Sequence, residues 1–477
     1  MSPFPGVKSG GTGRHNAFMS DLPFGERRQQ LARRLRDAGG GLAIVATAPE
    51  RLRNGDSDHP FRHDSHFHHL TGFDESQSWL VVGSEGCALL FCRPADPDEL
   101  IWEGPRLGPE RAPEVLGVDG AEPVDRLDTR MPQLIARCPA VWRLAGAHHT
   151  HERIAGWVAA AQALTGAATP VPVRDLDPLL DEMRVTKDRH ELATMRRAAA
   201  ISAGAHARAM RFCGHHFRRT PHVPLHEYEV EAELLHEFRR HGAQSPAYPS
   251  IVAAGANACV LHHPAGNAPL IAGDLCLIDA GCEVDGYASD ISRTFPANGR
   301  FTAAQRELYE IVLAAQAAAI AATRPGRRQR DAHHAAVRVL SQGMLDTGLL
   351  AREAHGHVDD VIASGAYKRF YMHGTGHWLG RDVHDVGEYL ALDEPPCEQA
   401  DEKGGTVVKP PSRPLHAGMV VTIEPGLYVR PGPDVPERYW NLGIRIEDDV
   451  IVTPDGGELI SRGVPVAISE IEALMRG

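Results

Sequence analysis

Four carboxylates sit in or at the ends of apolar, strand-like runs, and they constrain this chain more than any other feature. They are Asp279 in Leu277-Ile278-Asp279-Ala280-Gly281, Asp290 in Ala288-Ser289-Asp290-Ile291-Ser292, Glu424 closing Val420-Val421-Thr422-Ile423-Glu424-Pro425-Gly426, and Glu447 in Gly443-Ile444-Arg445-Ile446-Glu447-Asp448. A carboxylate buried without a partner is costly, so the fold has to neutralise these groups. Val284-Asp285-Gly286 is a turn signal that joins the first two runs as a hairpin. A turn centred near Val284-Asp285 sets Asp279 opposite Asp290, where like charges repel. A cation between them removes the penalty; the alternative is that one Asp caps the turn. In the last run, period-two alternation puts Arg445 and Glu447 on one face and Ile444 and Ile446 on the other.

A second cluster is Met372-His373-Gly374-Thr375-Gly376-His377-Trp378-Leu379-Gly380, followed by Asp382-Val383-His384-Asp385. Three histidines within twelve residues, spaced by glycines that admit close backbone approach, suggest a site more than a core. It is not a zincin helix: Gly374 stands where that motif needs Glu, and Gly374 and Gly376 disfavour a helix. Four acidic residues on strands plus one His balance two divalent cations. The ligand set is hard, which favours manganese, admits cobalt, magnesium or zinc, and disfavours copper(I) and iron–sulfur. The eight cysteines form no Cys-x-x-Cys pair, so no thiolate centre is expected. Most of the 27 histidines then count as background.

The length, 477 residues, fits two or three domains. Residues 1–22, rich in Gly, Ser and Pro, are expected to be a disordered extension without the apolar core of a secretory signal. Residues 23–180 alternate helix and strand signals and are expected to form a mixed α/β domain. Its first helix, Arg27 to Asp37, is basic, with Leu31 and Leu35 on one side and a solvated opposite face. Strands are expected at Leu42–Val45, Trp79–Val82 and Cys87–Phe91. Residues 181–477 show two rounds of helix, helix and strand pair, a pseudo-duplicated α+β domain. Asp188-x-x-Glu191 caps its first helix, followed by helices at His226–His241, Ala303–Ala322 and Arg330–Leu345. Strands are expected over Leu275–Phe295, Val420–Val429 and Gly443–Val452. Leu390–His416 is expected to be a surface loop, with 391–416 as an insertion.

The formal charge of −12 argues against a protein devoted to nucleic acid. No window approaches the roughly 18 uninterrupted apolar residues of a membrane span. Scattered cysteines in apolar runs look like buried free thiols, so a cytoplasmic location is expected. Gly-x-Ser-x-Gly does not occur, and Gly10-Gly11-Thr12-Gly13 lacks the Lys-Ser/Thr of a P-loop.

Asp279, Asp290, His377, Glu424 and Glu447 in this order resemble the five-ligand dinuclear site of the pita-bread metallopeptidases. The runs Val260-Leu261-His262, Met372 to Asp385 and Glu424-Pro425-Gly426-Leu427-Tyr428 look most like the Xaa-Pro aminopeptidase (aminopeptidase P) family, as do Asn54 to Asp58 and Leu70-Thr71-Gly72-Phe73. The resemblance implies an α/β N-terminal domain plus an α+β pita-bread (creatinase/aminopeptidase-like) C-terminal catalytic domain. It implies that Asp290 and Glu447 bridge two metals, with Asp279 completing one site and His377 and Glu424 the other. The metals would share a hydroxide as nucleophile. Glu424 would also be the general base, His373 would steady the tetrahedral intermediate, and His262 and His384 would position substrate or relay protons. Arg445 would link Asp279 to Tyr428. The implied reaction is release of the first residue from peptides with proline second, by a homodimer or homotetramer in which a partner's N-terminal domain helps to wall the site. Prolidase shares the fold and ligands but takes only dipeptides. Methionine aminopeptidase lacks a large N-terminal domain, and non-catalytic relatives usually lose ligands, all of which are present here.

Overall fold

The computed structural model describes residues 23–98, 100–400 and 406–477. The expected extension over residues 1–22 lies outside them. Contacts divide the chain after Met183 into two compact units.

The first unit is built on a six-stranded mixed sheet. Its order is Gly120–Pro123, Ala88–Cys92, Trp79–Gly83, Leu42–Ala46, Val141–Arg143 and Val173–Asp175. Leu42–Ala46 runs antiparallel to Trp79–Gly83 and parallel to Val141–Arg143. Alternate residues of the central strands feed two apolar layers: Ala43, Val45, Leu80 and Val82 pack on one face, Ile44, Ala46, Trp79 and Val81 on the other. The first helix spans Phe24–Asp37 and buries Leu31 and Leu35. Its basic side is not wholly solvated as expected. Arg27 and Arg28 turn inward, Arg27 donating to His69 O (3.1 Å) and Arg28 to Leu70 O (2.8 Å) and Leu116 O (3.0 Å). Carbonyls left open at the ends of neighbouring helices recruit the guanidinium groups.

In the second unit Asp188 caps the long helix Arg189–Arg219, accepting from His190 N and Glu191 N while Glu191 accepts from Asp188 N. Helix Glu227–Arg240 packs beside it, and the three-stranded sheet Ile251–Ala254, Leu275–Asp279, Ser292–Pro296 follows. The order then recurs: helices Ala303–Ala322 and Gln329–Thr347, then the sheet Val420–Ile423, Asp448–Thr453, Gly456–Leu459. One continuous apolar core joins these elements, with Phe238, Phe295, Val312, Leu340, Phe370 and Ile444 buried within it.

The register of the first hairpin differs from the expectation. Asp285 and Gly286 both adopt positive φ (49° and 73°), so the tight turn centres on Asp-Gly, with Val284 paired to Tyr287. Asp279 therefore lies opposite Ser292, and Asp290 stands two places along the return strand. Both carboxylates still face one point, since the Tyr248 hydroxyl meets each of them. The three expected long strands are each interrupted. Asp290 falls between Tyr287–Ala288 and Ser292–Pro296, Glu424 between Val420–Ile423 and Gly426–Val429, and Glu447 between Leu442–Arg445 and Asp448–Thr453.

Leu390–His416, expected as loop, contains an antiparallel ribbon in which Cys397–Ala400 pairs with Thr406–Lys409. The β-branched Val407 and Val408 suit an extended backbone, and Gln399 ties across to Lys409 O at 3.1 Å. The cysteines also divide: all eight are free, five are buried, Cys138 is half-buried, and Cys87 and Cys397 are exposed. Among the described residues no helix is long and apolar enough to cross a membrane.

Beside Glu447, a fully buried ion pair locks the sheet. Arg293 donates to Asp448 Oδ1 at 2.8 Å and to the Glu447 carbonyl, while Gln316 donates to Asp448 Oδ2 at 3.0 Å. Removing one partner of such a pair strands the other charge. Asp448→Ala is expected to cost about 3–5 kcal/mol, read as a lowered midpoint in urea denaturation. A midpoint unchanged from the parent protein would show that water or Glu447 takes over the guanidinium.

Candidate metal centre

The three strand interruptions and the Gly374–Trp378 segment bring five side chains together. Nε2 of His377 lies 3.4 Å from Asp290 Oδ2 and 3.8 Å from Glu424 Oε1. One ligand atom each of Asp290, His377 and Glu447 falls within a 4.8 Å cluster. Asp279 joins through Tyr248, whose hydroxyl meets both Asp279 Oδ1 (2.6 Å) and Asp290 Oδ1. All five are buried or half-buried.

Local pairing explains the placement of His377 and Glu424. Thr422 N donates to His377 O (3.0 Å), His377 N to Thr422 Oγ1 (3.1 Å) and Glu424 N to Thr375 O (2.8 Å). This stitching needs glycine at 376, where an added Cβ would sit 1.9 Å from Thr422 O. Behind the segment, Thr375 Oγ1 bonds Tyr371 (2.7 Å) and His333 (2.9 Å). His377 Nδ1 faces Trp378 O at 2.9 Å, which leaves Nε2 free to act as a ligand.

Arg445 anchors the opposite side. It donates to Asp279 Oδ2 (2.7 Å), Tyr428 Oη (3.0 Å) and Ser292 Oγ (2.8 Å), and Ser292 in turn donates to Glu447 Oε2 (2.8 Å). Arg445 and Glu447 thus share a face, as their spacing predicts, while Ile444 and Ile446 enter the core. His373 lies 2.9 Å from Tyr428 Oη and 3.6 Å from Glu424. His384 is exposed, its ring 4.0 Å from that of His377. His262 is exposed on the segment after Gly255–Cys259.

Electrostatics describe a site short of positive charge. Burial and the neighbouring carboxylates push Glu424 up to about 7 and Glu447 well above the usual range. Burial also raises Asp279, against the opposing pull of Arg445. At His377, burial works downward, but Asp290 and Glu424 prevail and hold the imidazole at about 9. Three carboxylates that resist ionising, with Asp290 held ionised against an imidazole drawn toward cationic form, are a donor set that fits two hard divalent cations.

Sequence reasoning did not find Tyr248, Ser292 or Asp449. Asp449 is buried beneath the site and accepts from Asp290 N at 3.2 and 3.3 Å. It directly follows Glu447-Asp448, and its place at the head of an apolar run was the available signal; Tyr248 carries none, because it arrives from a separate loop.

Comparison with known proteins agrees with this geometry. The model of metallopeptidase family M24 matches residues 193–454, and that of the aminopeptidase P N-terminal domain matches residues 24–142. The Xaa-Pro aminopeptidase of Haemophilus influenzae is 39% identical over 465 residues, covering 96% of this chain and 99% of the relative. That of Escherichia coli is 40% identical over 467 residues, covering 96% and 98%. Among solved structures, an aminopeptidase from Pseudomonas aeruginosa superposes with a TM-score of 0.84 at 42% identity, over 94% of this chain and 98% of that one. Aminopeptidase P from E. coli with the inhibitor Pro-Leu gives 0.84 at 40%, over 95% and 97%. With both domain models matched in order and relatives aligned over nearly the whole chain, the chain belongs to metallopeptidase family M24, in its Xaa-Pro aminopeptidase (aminopeptidase P) group.

Proposed function

We propose that this metallo-aminopeptidase releases the N-terminal residue from peptides with proline at the second position, with Asp279, Asp290, His377, Glu424 and Glu447 holding two divalent cations. Convergence of these five side chains, four of them carboxylates, is the observation that carries the reading. Manganese suits the oxygen-rich set best, with cobalt, zinc and magnesium as alternatives. Cations bound there would supply Lewis acidity and lower the pKa of water.

The chain's own residues do the rest. Glu424 accepts the proton of the attacking water; in the metal-free site burial lifts its carboxyl to about 7. His373 is held neutral, pushed down to about 3 by burial and by Arg445. Its Nδ1–H meets Gly374 O at 2.7 Å, so Nε2 accepts from the Tyr428 hydroxyl, which itself accepts from Arg445. This network fixes one tautomer, with Nδ1 on the side facing Glu424. Exchange of the Nδ1–H from Gly374 O to the scissile carbonyl oxygen would make it a neutral donor for the negative charge developing there. His262 and His384, both exposed at the edge of the site, are positioned to orient the peptide. Arg445 and Tyr428 hold Asp279 and His373 in place. The chain works as a homodimer or homotetramer in the cytoplasm, and light scattering reads the assembly.

With Mn²⁺ added, Xaa-Pro-Xaa tripeptides are expected to be cleaved at the Xaa-Pro bond. Cleavage confined to Xaa-Pro dipeptides would replace this reading with prolidase.

A further inference from the structure

A second cluster of metal-ligating side chains lies in the first unit, within twelve residues of sequence. Helix Ser65–Thr71 is capped by Asp64, which accepts from Phe67 N at 2.9 Å, and closes at Gly72 in the left-handed conformation. His63 precedes the cap, His68 stands in the last turn, and Asp74 follows the reversal at Gly72. The short helix thus folds its own two flanks together. Asp74 Oδ1 lies 2.9 Å from His63 Nδ1 and 3.0 Å from His68 Nε2, and the two imidazoles stack with centroids 3.8 Å apart. One ligand atom from each of the three residues falls within 4.8 Å of the others.

An ion pair alone does not account for this arrangement. Both imidazole side chains are 10% exposed, and Nε2 of His63 is buried with no hydrogen-bond partner. Two stacked cationic rings would repel each other, with a single carboxylate to offset them. Neutral rings avoid that penalty: His63 Nδ1–H and His68 Nε2–H donate to Asp74 Oδ1, and an ion replacing those two protons would meet the same three atoms. Asp74 is 73% exposed, which leaves the cluster open to solvent on one side for an ion to enter.

We propose that His63, His68 and Asp74 form a divalent transition-metal site in the N-terminal unit, separate from the residues of the candidate metal centre. Two imidazoles and one carboxylate suit Zn²⁺, with water completing the shell. Because all three ligands belong to one capped helix and its flanks, the site needs no residue from elsewhere.

The test is a count. Full-length protein equilibrated with micromolar free Zn²⁺ and measured by mass spectrometry of the metal is expected to lose one ion per chain on His63→Gln/His68→Gln substitution. Asp74→Asn, at a mostly exposed side chain, is expected to lose the same ion while its far-ultraviolet circular dichroism stays that of the parent. Equal zinc content in the parent and in folded Asp74→Asn protein would overturn the site. The readout is a difference between proteins sharing an intact candidate metal centre, so it stands or falls apart from the catalytic reading.

Discussion

Glu424→Gln is expected to lower kcat on an Xaa-Pro-Xaa tripeptide by roughly 10²–10⁴-fold, the range for losing a positioned proton acceptor. The amide keeps the shape of the side chain and the backbone bond from Glu424 N to Thr375 O. It removes the oxygen that takes the proton of the attacking water. Glu424 has two proposed roles, and metal content separates them. A large loss of kcat with metal content unchanged identifies the proton acceptor; a parallel loss of metal identifies the ligand. Activity within about tenfold of the parent, below the range for general-base loss, would remove Glu424 as the proton acceptor.

Metal removal has the other large effect, and its size depends on pH. Stripped of ions by a chelator, the centre retains Glu424, Glu447 and Asp279 with raised pKa values and His377 raised to about 9. For each of these groups the folded state binds more protons than the unfolded chain between the two pKa values. Stability therefore falls as pH rises through that interval. For Glu424 the interval runs from 4.5 to about 7, and for His377 from 6.5 to about 9. Asp290 is lowered instead, because His377 overcomes the effect of burial, and it acts only in the acid range below 3.8. The melting temperature of chelated protein is thus expected to decline steadily between pH 5 and pH 9. Added Mn²⁺ restores it most at the alkaline end, where the carboxylates are charged. An ion at 100 times its Kd adds ~2.7 kcal/mol per site, a shift of several degrees in a thermal scan. A chelated protein whose melting temperature is level with pH, and unmoved by Mn²⁺, would show that these side chains do not hold cations.

What the sequence disclosed follows from cost. A carboxylate in an apolar run has to be neutralised, so Asp279, Asp290, Glu424 and Glu447 stand out by residue type and context alone. The same reasoning read their runs as unbroken strands, because apolar periodicity does not register a local break in the ladder. The breaks fall at Asp290, Glu424 and Glu447, where the backbone leaves the sheet to aim a side chain inward. Long-range partners were out of reach. Tyr248 meets Asp279 across 31 residues and Asp290 across 42, and Ser292 meets Glu447 across 155. The basic first helix misled for a related reason, since Arg27 and Arg28 face inward only because distant carbonyls await them.

The Asp285-Gly286 turn carries a consequence for how such a centre can vary. Asp279 pairs with Ser292, and Asp290, just before that pair, meets the same Tyr248 hydroxyl as Asp279. Lengthening the turn by one residue would reverse every side chain on the return strand and turn Asp290 away from the cations. Two added residues would preserve orientation while sliding the carboxylate along the sheet. The spacing between the two aspartates is therefore a matter of parity first and distance second. An insertion of odd length would keep the centre only where a bulge absorbs the extra residue.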